Sequence, residues 1–149
     1  MIESQLRRTI VQKQPNAKAK VKKCKLSTLQ GKADTAMSQY IRQKFAVDEY
    51  CDCVSCGRSF HWREMDAGHF ISRKHFATRY VEENCHPECR SCNRFSADHM
   101  IGYTEYFIDT YGREKILELK TESRRVLSPS EKRQIVEYAY EYYTKGIVK

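Results

Sequence analysis

From Ser27 to Phe45 the apolar positions fall at threes and fours: Leu29, Ala33, Ala36, Met37, Tyr40, Ile41 and Phe45. That period predicts an amphipathic helix. The pattern then shortens. Ser59-Phe60-His61-Trp62 predicts one short strand and Ala67 to Ile71 a second, with Arg73 to Tyr80 as a loop and Glu82 to Pro87 returning from it. Helical spacing resumes near Met100 with Ile101, Phe107, Ile108 and Tyr111, breaks at Gly112, and continues through Ile116, Leu117 and Leu119. The last helix is the best marked. Ser128-Pro129-Ser130-Glu131 supplies an N-cap, a proline at the first helical position and a capping-box glutamate. Ile135, Val136, Tyr138, Ala139, Tyr142 and Tyr143 form its apolar stripe. Most of that stripe reads as core, and its tyrosine-rich edge stays open as a self-association surface.

Composition narrows this to one small domain with appendages. The 149 residues are 40% hydrophobic and 31% charged, with a mean hydropathy of −0.75, so the core is modest. No apolar run approaches a membrane span and no signal core follows Met1, which leads to the expectation of a soluble, cytoplasmic chain with no membrane partner. The net charge of +8 is uneven. Residues 1–25 hold eight Lys/Arg against Glu3 alone, whereas the rest of the chain holds 19 basic and 18 acidic side chains. Residues 1–26 therefore read as a basic, flexible tail, either a solvated leader or a polyanion-binding arm. Residues 27–122 are the expected domain, and 123–149 a C-terminal helix.

Seven cysteines in an unsecreted chain point to metal rather than disulfides. Cys53-x2-Cys56 and Cys89-x2-Cys92 are each spaced to present two thiolates to one tetrahedral ion, and together they predict a four-cysteine structural zinc. Cys24, Cys51 and Cys85 are surplus, with Cys51 a less usual competitor for Cys53. The 32 residues between Cys56 and Cys89 carry histidines, acids, arginines and an asparagine. Zinc would clamp the ends of that insert and hold its polar groups in register.

A strand carrying His69, a return segment through Asn84 and a helix starting near Cys92-Asn93 form a ββα hairpin around a metal. This resembles the HNH, or His-Me finger, nucleases. From Leu26 to about Glu122 the chain resembles the NinG/Rap recombination endonucleases of lambdoid phages. The resemblance is carried by Cys53-Val-Ser-Cys56-Gly57, His61-Trp62, Asp66-Ala-Gly-His69-Phe70, Arg73-Lys-His75, Thr78-Arg79, Glu83-Asn84-Cys-His86-Pro-Glu-Cys89, Cys92-Asn93-Arg94 and Tyr111-Gly112.

The resemblance implies a small α+β fold, a zinc-bound ββα core flanked by N-terminal and C-terminal helices. It also implies a metal-dependent DNA endonuclease acting on branched recombination intermediates, Holliday junctions or D-loops, in the cytoplasm of a bacterial host. His69 would take the proton of the attacking water, and Asn84 would fix the loop presenting it. Asn93 would bind a catalytic Mg²⁺ or Mn²⁺, with Asp66 and His86 as weaker ligand candidates. Arg73, Arg79 and Arg94 would bind flanking phosphates. Two symmetric cuts in a junction imply a homodimer, and recombination proteins are possible partners. His86 is equally open to a hydrogen-bonding or DNA-contacting role, His61 and His75 to structural or phosphate-contacting ones, and Trp62 reads as a packed aromatic.

The chain departs from the pattern in three places. Many HNH enzymes place a metal ligand immediately before the general base, where this chain has Gly68. Ser96-Ala97-Asp98-His99 stands where a Ser-Gly-Asn-like run is expected, leaving His99 as either a late metal ligand or a surface residue. An upstream cysteine-rich segment of larger relatives is represented only by Cys24. The alternatives are an HNH nicking or double-strand endonuclease without structural preference, and a noncatalytic zinc DNA-binding module.

Overall fold

The computed structural model describes residues 24–148. Nearly all of the basic tail expected over residues 1–26 lies outside them. Among the described residues the architecture is α+β: two small antiparallel hairpins laid between five helices.

Helix α1 spans Leu26–Lys44, and its Leu29, Ala33, Ala36, Met37 and Ile41 are buried at the predicted helical spacing. Asp48 and Glu49, both at positive φ, close a two-residue turn between Val47 and Tyr50, the backbone geometry that returns a chain on itself. Strands β1 (Tyr50–Asp52) and β2 (Ser59–His61) pair antiparallel around the first cysteine knuckle. A one-turn 3₁₀ segment at Trp62–Glu64 leads into β3 (Met65–His69), which pairs antiparallel with β4 (Cys85–Cys89), with Met65 opposite Cys89 and His69 opposite Cys85. Both strands are displaced toward the cysteines relative to the expected Ala67–Ile71 and Glu82–Pro87, because pairing begins at Cys89. Phe70 and Ile71, expected in the strand, instead lead into the loop, where they pack on the aromatic cluster around Tyr103, Phe107 and Leu119.

The helix expected near Cys92 is short, α2 (Arg90–Phe95), and is followed after Ser96–Asp98 by α3 (His99–Tyr111). Gly112 separates α3 from α4 (Arg113–Ser123). Helix α5 (Pro129–Gly146) begins with the predicted capping box, in which Ser128 and Glu131 satisfy each other's backbone N–H. Helix α5 packs along α1: Val136, Ala139 and Tyr143 share one core with Leu29, Ala33, Met37, Ile41 and the β4 residue Cys85. Tyr143 is buried against Tyr40, their rings 5.2 Å apart, while Tyr142 stays partly exposed. Among the described residues no helix is long and apolar enough to cross a membrane.

Candidate functional site

The two cysteine pairs converge. Cys53 and Cys56 lie in the turn after β1, Cys89 ends β4 and Cys92 sits in α2, and their four Sγ atoms lie within 4.8 Å of one another. Cys56 Sγ and Cys89 Sγ are 4.0 Å apart, close to the ~3.8 Å separation that a tetrahedral site with Zn–S bonds of about 2.3 Å requires. Four thiolates around Zn²⁺ leave net negative charge, and nearby donors offset it. The Cys89 N–H donates to Cys53 Sγ at 3.3 Å and Arg58 Nε to Cys56 Sγ at 3.4 Å. Burial pushes the Cys56 thiol up, but donation from Arg58 and the neighbouring cysteines outweighs it and brings the thiol down to about 6. The donor set and its spacing fit zinc. Cys51 points into the core beside this cluster without joining it, and burial pushes its thiol up to about 11. That settles the competition in favour of Cys53.

His69 ends β3, and its Nε2 lies 2.9 Å from the backbone carbonyl of Arg79. A carbonyl only accepts, so Nε2 carries the proton and Nδ1 carries the lone pair. Nδ1 lies 3.8 Å from Cys85 Sγ, a weak contact that does not commit the lone pair. Burial pushes the His69 pKa below its ordinary value, and although the Arg79 carbonyl opposes this, the charges of Arg79 and Arg73 push it further down. The imidazole is therefore neutral at pH 7.

The carbonyl that holds His69 is itself held. Arg79 forms a two-point ion pair with Asp34 of α1, at 2.9 and 2.5 Å, and donates to the Arg73 carbonyl at 2.8 Å. Tyr80 donates to Asp34 at 2.8 Å, and Tyr143 of α5 donates to the Tyr80 carbonyl at 2.8 Å. Asn84, fully buried, staples the loop from within. It accepts from Ile71 N at 2.8 Å and donates to the carbonyls of Ile71 and Thr78 at 2.9 and 3.0 Å. Asn84→Ala would leave the Ile71 N–H and carbonyl without that partner, and the Thr78 carbonyl with Val81 N alone. Each buried unpaired group costs about 1–3 kcal/mol, so this variant is expected to lose at least ~2 kcal/mol in urea unfolding. An unchanged midpoint would show that the loop holds without the amide.

His86 has a different place from the metal-ligand role weighed for it. It is fully buried among Phe45, Tyr103, Tyr106, Phe107 and Tyr111. Tyr103 donates its hydroxyl to the Gly68 carbonyl at 2.9 Å, so His86 Nδ1–H must donate to the Tyr103 oxygen at 3.0 Å, and Nε2 accepts from Tyr111 at 2.9 Å. Both ring nitrogens are used. Burial pushes its pKa down to about 4, which keeps it neutral. His86 joins the hairpin to α3; it is neither a metal ligand nor a DNA contact here.

Asp66 and Asn93 do meet. Asn93 Nδ2 donates to Asp66 Oδ2 at 3.0 Å, and Arg94 grips both oxygens of Asp66 at 2.7 Å each. Burial raises the Asp66 pKa, but the Arg94 and Asn93 hydrogen bonds prevail and hold it below the usual carboxylate value. Asp66 is thus occupied by Arg94, while Asn93 keeps its amide oxygen for another partner. Of the three arginines, Arg79 belongs to the frame, Arg94 pairs with Asp66 while half-exposed, and Arg73 is exposed on the loop. His61 caps the 3₁₀ turn by accepting from Arg63 N, and the guanidinium groups of Arg42 and Arg63 lie 5.5 and 4.9 Å from the Trp62 ring centroid. His75 is exposed. Asp34, Tyr103 and Glu88 were not anticipated, since each acts through a partner distant in sequence.

The family described as Bacteriophage Lambda NinG protein matches residues 2–149. The chain is 29% identical to Protein ninG of Escherichia phage lambda over 96 residues, covering 62% of this chain and 44% of that protein. It is 29% identical to Protein ninG of Escherichia phage 933W over 96 residues, covering 62% and 45%. To Protein ninG of Salmonella phage P22 it is 26% identical over 118 residues, covering 77% and 55%. The chain therefore spans about half the length of these relatives. No solved structure matches it. A match over nearly its whole length, joined to four convergent cysteines and the His69 hairpin, places the chain in the bacteriophage lambda NinG protein family.

Proposed function

We propose that this chain is a metal-dependent DNA endonuclease of the HNH, or His-Me finger, kind, acting on branched recombination intermediates such as Holliday junctions and D-loops. One observation carries the reading: the β3–β4 hairpin holds a neutral His69 by Nε2 to the Arg79 carbonyl, leaving Nδ1 as the proton acceptor. Phosphodiester hydrolysis needs a base of that kind, whose pKa lies low enough to be unprotonated at neutral pH and whose ring cannot swing away.

In this reading His69 Nδ1 takes the proton of the attacking water. The Asn84 staple and the Arg79–Asp34 pair keep the loop, and with it the His69 ring, in place during that transfer. Arg73 is exposed beside the hairpin and suited to an adjacent phosphate. A divalent ion, Mg²⁺ or Mn²⁺, would polarise the phosphate and stabilise the leaving oxygen. The free amide oxygen of Asn93 is the ligand the resemblance assigns to it. The cysteine cluster would hold zinc and fix β1, β4 and α2 as one frame. Two copies would make the paired cuts that resolve a junction.

Branched DNA as the substrate class rests on the family resemblance, and the test addresses it directly. Labelled four-way junction, duplex and single-stranded DNA of matched length are incubated with the zinc-loaded protein, with and without Mg²⁺ or Mn²⁺. The expected result is cleavage of the junction that requires the added ion. No cleavage of any substrate would overturn the nuclease reading; equal cutting of junction and duplex would overturn the structural preference.

A further inference from the structure

Glu88 is the anomaly of the hairpin. It is 1% exposed, and its Oε2 is the single buried side-chain polar atom without a hydrogen-bond partner among the described residues. Oε1, in contrast, accepts from Ser55 Oγ at 2.5 Å and lies 2.9 Å from His99 Nδ1. A buried carboxylate oxygen left bare is costly, so an unfilled partner is the economical explanation. A carboxylic O–H at Oε2 would find no acceptor there either.

The register explains where that oxygen sits. Glu88 pairs opposite Asp66, and strand alternation puts Asp66, Gly68, His86 and Glu88 on one face of the hairpin. A Cβ built on Gly68 would land on Glu88 Oε2. The carboxylate of Glu88 therefore fills the space that a side chain at position 68, next to His69, would occupy. His99 opens α3 beside it, one-quarter exposed.

We propose that Glu88 and His99 are protein ligands of a divalent oxygen-preferring cation, Mg²⁺ or Mn²⁺, with Glu88 reaching across from β4 to supply the carboxylate that Gly68 lacks. A hard cation takes carboxylate oxygen readily and imidazole nitrogen in the case of Mn²⁺. Ser55 and the Gly68 gap orient the carboxylate, and Asn93, bonded to Asp66 on the same face, can add an amide oxygen. The ion's role in strand cleavage rests on the nuclease reading; its binding does not.

The test measures binding and cleavage separately on the full, zinc-loaded chain. Mn²⁺ is titrated by electron paramagnetic resonance of the free ion, with zinc content and far-ultraviolet circular dichroism confirming the fold. Glu88→Gln and His99→Ala are each expected to weaken Mn²⁺ binding at least tenfold. Gly68→Ala, which removes no ligand but pushes a methyl onto Oε2, should weaken it as well. It also serves if Glu88→Gln does not fold. Parental binding in the folded Glu88 and His99 variants, or no Mn²⁺ binding by the parent, overturns the site. A parent that cuts junctions while Glu88→Gln binds Mn²⁺ normally keeps the nuclease reading and loses this one. A parent that binds through Glu88 and never cuts does the reverse.

Discussion

His69→Ala is expected to slow junction cleavage by about 10²–10⁴-fold, the usual loss when a general base is removed, while zinc content and DNA binding stay near parental. The expectation follows from one ring nitrogen. Nε2 is spent on the Arg79 carbonyl and Nδ1 is not spent on any strong donor, so alanine removes both a proton acceptor and a structural bond. The pH profile separates the two. Burial, joined by the charges of Arg79 and Arg73, puts the His69 pKa below 6.5, so the parent's rate should hold at neutral pH and fall only as pH drops below that value. In the variant that acid limb disappears and the rate climbs with hydroxide instead. Stability gives a second readout with a fixed sign. Because the folded pKa is depressed, the unfolded chain takes up the proton first, and His69 costs the parent stability as pH falls from about 6.5 through the folded value. The alanine variant should lose that share of acid sensitivity. Cleavage at the parental rate at pH 7 would make His69 structural and remove the residue on which the nuclease reading turns.

What the chain disclosed in advance was set by local chemistry. The α5 capping box is read from four consecutive residues, and α1 from a period that tertiary packing reinforces. The cysteine cluster was legible because paired thiols with two residues between them are spaced to serve one ion. The resemblance gave Asn84 the loop that presents His69, and the bonds that Asn84 makes give its buried amide a physical purpose. The strand positions were not, since alternation fixes faces but leaves sliding free until something pins an end. Here the pin is Cys89, which sets Met65 opposite it and carries both strands two residues toward the cysteines. Arg79 was assigned to phosphate because an arginine in a loop beside a histidine suits that task. Its partner Asp34 lies 45 residues away on α1, and only the fold brings them together. Glu88 was silent for the same reason. Nothing in Cys85-His86-Pro87-Glu88-Cys89 marks the glutamate until register sets it over Gly68.

Cys56→Ser should release the zinc and take the hairpins with it. Serine is the informative replacement because Cys56 is the one exposed member of the four. The new hydroxyl is therefore not forced into an apolar site, and whatever is lost is lost through the ion. A serine hydroxyl stays protonated at neutral pH and is a poor ligand, whereas Cys56 is already disposed to ionise. The surrounding core has little to fall back on: its buried members are Cys51, Cys53, Met65, Cys89 and Cys92, three of them ligands. Structural zinc contributes on the order of 10–16 kcal/mol in small domains, as much as or more than the roughly 5–15 kcal/mol by which a whole domain is stable. The expected outcome is a protein without stoichiometric zinc by mass spectrometry, in which amide protection vanishes across β1–β2 and β3–β4. The α1–α5 core contains none of the four ligands, so part of the helical dichroism should outlast the hairpins, and chelation of the parent should give the same intermediate. A Cys56→Ser protein that melts with the parent and keeps its hairpin protection would mean that packing, not metal, holds His69 in place.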